Sequence, residues 1–168
     1  MSIREVIVTI NKVEADGVID RYAIGGAVGA TLDIDVFVAF RAEPGPQLVS
    51  LKPVFDYLAA RGYSMKGEYV MIAGWPVQFL PPTGPLVEEA LAQAATTDVD
   101  GVPARVFGAE HLAAIALQTG RAKDKARLLQ FIEEGAVDSI HFQELIRRHG
   151  LVDVWTKFER QFLGDTTP

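Results

Sequence analysis

The sequence predicts an α+β fold on three observations. One amphipathic helix opens the chain, strand-like alternation with tight-turn signals fills residues 20–107, and helical periodicity fills residues 109–163. No stretch rich in Gly, Ser or Pro separates strands from helices. The expected division is therefore an α+β core over residues 1–107 and a C-terminal helical segment over residues 108–168, packed on that core.

Taken in order, Ser2-Ile3-Arg4-Glu5 has the spacing of a capping box. Ile3, Val6, Ile7, Ile10 and Val13 follow at helical intervals until Asp16-Gly17 ends the pattern. Residues 21–24 form a short strand running into Gly25-Gly26. Residues 32–40 alternate, so that Leu32, Ile34, Val36, Val38 and Phe40 share one face while Asp33 and Asp35 share the other. After the Glu43-Pro44-Gly45-Pro46 loop, Ser50 and Pro53 open a helix and Gly62 closes it, with Val54, Phe55 and Leu58 inward. Residues 69–73 and 77–80 flank Gly74-Trp75-Pro76 as a hairpin, and a helix spans about residues 86–95. A second hairpin turns at Asp100-Gly101. Four helices follow, over residues 111–118, 123–134, 139–149 and 151–163, punctuated by Gly120, Gly135 and Gly150.

Composition narrows the function classes. With 168 residues, 49% hydrophobic and 23% charged, the chain sits at the globular average and is long enough for a real core. Its 16 basic and 22 acidic residues leave a formal net charge of −6, which excludes a general nucleic-acid-coating surface and confines any phosphate site to a local patch. The absence of cysteine excludes disulfides, thiolate catalysis, Fe–S clusters and Cys-ligated zinc. No apolar run approaches the ~20 residues that cross a bilayer, and Arg4 and Glu5 fall where a signal peptide needs an apolar stretch. A cytoplasmic protein without a membrane partner is expected.

The chemistry gathers at one place. Asp33 and Asp35 project from the same strand face just after a glycine turn, and two such like charges are tolerated when exposed or when a divalent cation neutralises them. Hard carboxylate oxygens suit Mg²⁺ held together with substrate phosphates, and glycine lets the backbone approach those phosphates. Taken alone, an Asp-x-Asp on a strand is an ordinary solvated face, and Gly-Gly is an ordinary turn. The dinucleotide-binding alternative fails on spacing. Gly25-Gly26-Ala27-Val28-Gly29-Ala30 is not G-x-G-x-x-G, and the acid of that fingerprint stands ~20 residues on, beyond a helix.

Tyr22-Ala23-Ile24-Gly25-Gly26, then Thr31-Leu32-Asp33-Ile34-Asp35-Val36-Phe37-Val38, then Glu110-His111-Leu112 and Gly120-Arg121-Ala122-Lys123-Asp124 together resemble the nucleotidyltransferase-fold superfamily, nearest its AbiEii-like group, over about residues 20–132. The resemblance implies a mixed sheet with flanking helices and transfer of an NMP from an NTP to an acceptor. Gly25 and Gly26 would cradle phosphate, and Asp33 and Asp35 would be the catalytic Mg²⁺ ligands. Lys123, with Arg121 and Arg127, would assist at the NTP phosphates. The acceptor is open among RNA, protein and small molecule, and the partners extend to a homo-oligomer or an antitoxin-like protein of a toxin–antitoxin module.

Three departures bear on activity. The family's third carboxylate falls at Gln78, which is neutral and cannot deprotonate an acceptor, so transfer is slowed, lost, or served by another acid such as Asp98 or Asp100. Those two aspartates also suit a hairpin turn. A lysine that related chains often carry in the helix before Gly120 is replaced by Ala116. The substitutes lie in residues 121–127, where Arg121, Lys123, Lys125 and Arg127 face one Asp124; a solvated helix face is the plain alternative. Finally, the family places a helix between the glycine turn and Asp-x-Asp. Residues 27–32 are too few for one that returns to a parallel neighbour, so either a shortened connection or a further segment between Ala30 and Thr31 is expected. A catalytically degenerate protein that binds nucleotide or a partner is the second reading.

His111, His141 and His149 lack metal-ligand spacing, with eight residues between the last two and no H-E-x-x-H. Asp124 either orients the neighbouring basic residues or forms a surface ion pair. Val154, Trp155, Phe158 and Phe162 form a helical stripe that suits packing or a dimer contact.

Overall fold

The computed structural model describes residues 3–25, 33–40 and 50–164. Gly26 and the segment between Ala30 and Thr31 lie outside the described residues. The chain forms two compact units, residues 1–82 with 91–107 and residues 83–90 with 108–168. The expected division at residue 107 differs from this in residues 83–90, whose Leu86 is buried in the helical core.

The first unit is α+β and holds the whole of a seven-stranded mixed sheet. Helix α1 (Ile3–Ala15) is followed by β1 (Arg21–Ile24), β2 (Ile34–Ala39), α2 (Lys52–Ala60), β3 (Ser64–Lys66), β4 (Tyr69–Ile72), β5 (Trp75–Leu80) and, after α3 (Pro85–Ala92), by β6 (Ala95–Val99) and β7 (Val102–Val106). The strand order is β3-β4-β5-β2-β1-β7-β6. Strands β2 and β5 run parallel, as do β1 and β7, and the other neighbours are antiparallel.

Alternation divides the sheet cleanly. Ile34, Val36, Val38, Val70, Ile72, Val77 and Phe79 are buried with Val6, Ile7, Ile10 and Val13 of α1 and Val54 and Leu58 of α2. Every second residue between them, including Asp35, Phe37, Tyr69 and Gln78, turns to the opposite, half-buried face. Both helices of this unit therefore pack by their apolar stripes on one side of the sheet, which leaves Asp35 on the other.

The antiparallel pairing of β1 with β2 corrects one expectation. Arg21↔Ala39 through Ile24↔Val36 is a hairpin-like ladder, so no parallel crossover helix is needed between Gly25 and Asp33. Strand β3 carried no signal in the sequence, because its three residues are all exposed and so show no alternation. The β4–β5 turn is Ala73-Gly74 rather than Gly74-Trp75-Pro76. Both turn residues have positive φ, 51° and 83°, the geometry of a tight two-residue hairpin. Trp75 and Pro76 belong to β5, and the missing N–H of Pro76 precedes the β2–β5 ladder, which starts at Ile34↔Val77. Asp100-Gly101 turns the second hairpin as expected, with φ of 51° and 81°.

Tyr22 anchors α1 to the sheet. Its side chain is fully buried, its hydroxyl donates to Asn11 Oδ1 at 2.6 Å and accepts from Arg105 N at 3.3 Å, while Asn11 Nδ2 donates to Pro103 O at 2.8 Å. A buried phenol must find such partners, and here it joins α1, β1 and β7.

The second unit is helical: the first turns of α3, then α4 (Ala109–Thr119), α5 (Ala122–Glu133), α6 (Ser139–Arg148) and α7 (Val152–Phe158), which runs on into a wider turn over Glu159–Leu163. Ala113, Ala114 and Leu117 of α4 meet Leu128, Phe142, Leu145, Ile146, Trp155 and Phe158. Gly120 ends α4 in the left-handed conformation, φ 70°, where glycine carries no Cβ penalty. Among the described residues no helix is long and apolar enough to cross a membrane.

Tyr22→Phe leaves Asn11 Oδ1 and the Arg105 N–H without their phenol partner. It is expected to lower the unfolding free energy by roughly 1–2 kcal/mol, read as a lower urea midpoint at an unchanged denaturant slope.

Candidate functional site

The acidic pair is built by β2 and its two neighbours. Asp35 lies opposite Gln78 in the parallel β2–β5 ladder, and Asp33 stands just before the first ladder pair. On the other side, the Gly25 N–H donates to the Asp35 carbonyl at 2.9 Å. Extending the β4–β5 register by one residue beyond Val70↔Val77 sets Tyr69 opposite Gln78, and Tyr69 in turn pairs with Lys66 of β3. A line across the sheet thus passes Lys66, Tyr69, Gln78, Asp35 and Gly25, all on the face away from α1 and α2. Gln78 therefore stands beside Asp35.

The electrostatics of this line are negative. The charge of Asp33 foremost, then burial, then Glu68 and Asp35, push the Tyr69 phenol above its ordinary pKa. One carboxylate oxygen of Asp35 is buried. Gly25 itself has a packing reason to be glycine. A Cβ there would stand 2.5 Å from Phe37 Cε2 and 3.2 Å from Phe107 Cε2, inside the stack that these two rings form at 5.0 Å between centroids. Two carboxylates and one amide oxygen are a hard-oxygen set of the kind Mg²⁺ uses when phosphates supply its remaining ligands. Among the described residues no group of three or more His, Cys, Asp or Glu is arranged to hold a metal ion.

Ala116, Arg121, Lys123, Asp124 and Arg127 belong to the helical unit. Arg121 and Asp124 form a tight pair at the start of α5, with Arg121 Nε donating to Asp124 Oδ2 at 2.7 Å and the Arg121 N–H to the same oxygen at 3.3 Å. Asp124 is buried, while the Arg121 side chain of this ion pair is largely exposed. Lys123 is exposed, and Arg127 Nη2 is buried without a hydrogen-bond partner among the described residues. Ala116 is buried in the apolar core of this unit, where a lysine would carry its stem through packed side chains. Asp98 has its turn role, since its Oδ1 accepts from the Gly101 N–H at 2.9 Å. Trp155 and Phe158 of the aromatic stripe are core residues, whereas Val154 and Phe162 are exposed.

One cluster escaped the sequence reading. His111 Nε2 and His149 Nε2 lie 2.9 and 3.2 Å from the same oxygen, Glu89 Oε2, and Arg148 Nη1 lies 3.0 Å from Oε1. An ionised carboxylate can only accept, so both imidazoles donate through Nε2. His141 stands edge-on to His111 with ring centroids 6.4 Å apart and approaches Glu110 at 3.8 Å. Spacing along the chain could not reveal this, because the organising residue, Glu89, lies on α3, 22 and 60 positions from the two histidines. Burial alone would raise the Glu89 carboxyl. The hydrogen bonds from His111 and His149 and the charge of Arg148 outweigh it and leave the group below its ordinary pKa.

Neither a family model nor a curated protein matches this chain.

A carboxyl whose folded pKa is lowered stabilises the fold above its unfolded value, about 4.3, and loses that contribution as pH falls through the folded value. The thermal midpoint is therefore expected to drop on acidification below about pH 4.3, and Glu89→Gln should lower the midpoint at pH 7 and flatten this acid limb. A limb unchanged in the variant would show that Glu89 does not carry it.

Proposed function

We propose that this chain is a Mg²⁺-dependent nucleotidyltransferase of the AbiEii-like kind, binding an NTP at Asp33 and Asp35 and transferring its NMP to an acceptor. The observation that carries the reading is the ladder that sets Asp35 beside Gln78 on the sheet face that α1 and α2 do not cover, with Asp33 two residues before Asp35 in the chain. Asp33 and Asp35 would hold Mg²⁺ jointly with the triphosphate. When bound, the ion offsets charge that develops on the transferred phosphoryl group. The carboxylates fix the nucleotide against a rigid strand, and alignment of this kind supplies much of the acceleration in phosphoryl transfer.

Gln78 favours a second reading, a degenerate member that binds nucleotide or a protein partner, such as the other half of a toxin–antitoxin pair, without transfer. Its amide can offer a metal one neutral oxygen but takes no proton from an acceptor. The two readings share the nucleotide site and differ only in the chemistry performed there.

Calorimetric titration of the four NTPs is expected to show binding that requires Mg²⁺ and falls at least tenfold in Asp33→Asn and Asp35→Asn. Unchanged affinity in both variants would remove the site. Lys123→Ala, in the same titration, checks the phosphate role expected of α5 independently. Gln78→Glu separates the readings: transfer that appears only in the variant would mark the natural chain as a binding protein.

A further inference from the structure

We infer that Tyr69 is a self-modification site, its phenolic oxygen accepting the NMP from a nucleotide bound at Asp33 and Asp35. The inference rests on the nucleotidyl-transfer reading and supplies the acceptor which that reading leaves open.

Geometry carries it. Tyr69 and Asp35 sit on one line of the sheet, separated only by Gln78. With neighbouring strands about 4.8 Å apart, their Cα atoms lie about 10 Å from one another. Both residues alternate to the same half-buried face, while Val70 and Ile72 lock β4 into the core on the other. The charge of Asp33 and, more weakly, that of Asp35 act on the phenol. Ser64 of β3 also carries a hydroxyl on this sheet, but it stands one strand further out on a short, exposed side chain.

The chemistry of the site asks for such an acceptor. With Gln78 in the third position, no carboxylate beside Asp35 on β5 can take the acceptor's proton, so an acceptor must arrive with its own base. Tyr69 does: Glu68, its neighbour in the chain, lies close enough for its charge to act on the phenol. In the step, the phenolic oxygen forms a bond to the α-phosphorus of the NTP. The bond from that phosphorus to the oxygen bridging the β-phosphate breaks, pyrophosphate leaves with the electron pair, and the phenolic proton passes to Glu68. Lys66, the next residue on the same line, ends it with a positive charge suited to the phosphodiester that results.

The test uses the full chain incubated with Mg²⁺ and each NTP in turn, followed by intact mass, tandem mass spectrometry of peptides, and calorimetry on the same preparation. One NMP increment is expected, mapped to Tyr69, absent in Tyr69→Phe and formed about a hundredfold more slowly in Glu68→Gln. A urea midpoint for Tyr69→Phe equal to that of the natural chain shows that the loss is not unfolding. An adduct on any other residue overturns the inference. Binding of Mg²⁺ and NTP without an adduct overturns it and leaves the nucleotide site standing, whereas neither binding nor adduct overturns both.

Discussion

The β2–β5 ladder is the constraint on which the first unit depends. Strands β3, β4 and β5 form one half of the sheet and β2, β1, β7 and β6 the other, and four residue pairs from Ile34↔Val77 to Phe37↔Leu80 join them. A slip of one residue would carry Val36 and Val38 out of the core and turn Asp35 into it, next to α1. Burial of the apolar alternate therefore determines the register, and the register determines which polar residues meet on the far face. Asp35, Gln78 and Tyr69 are neighbours because Ile34, Val77 and Val70 are buried.

The packing of Gly25 belongs to the same logic. Its N–H completes the pairing of β1 with the start of β2, and its missing side chain leaves room for the stack of Phe37 on Phe107. Glycine at this position thus serves the fold whatever it does for a ligand. In the helical unit the corresponding organiser is a charge. Glu89 draws two imidazoles and a guanidinium onto one carboxylate, so α3, α4 and the end of α6 meet at a half-buried polar point instead of through apolar contact alone. Such a cluster stabilises only while each member keeps its partners, because a buried carboxylate that loses them retains its full desolvation cost.

Much of the fold was legible along the chain. The helical stripe of Ile3, Val6, Ile7, Ile10 and Val13, the alternation from Ile34 to Val38 and the Asp100-Gly101 turn are local signals, and each element stands where its signal does. Strand β3 was not legible, since three exposed residues carry no period, and its existence depends on pairing with β4. Nor was the direction of β1 against β2 legible. Two strands with similar patterns pair either way, and the antiparallel choice needs no helix in between.

The sequence by itself determined the candidate chemistry: which oxygens are available, that Asp35 alternates away from the apolar face of its strand, and that Gln78 brings no carboxylate. These follow from residue identity and from the two-residue period of an extended chain. Only the tertiary structure decided who stands beside whom. Tyr69 beside Gln78 and Asp35, and Glu89 between His111 and His149, are contacts between residues tens of positions apart. Ladder register and helix packing set such contacts, and both are chosen by burying apolar surface across the whole unit, a quantity that no local stretch of sequence contains.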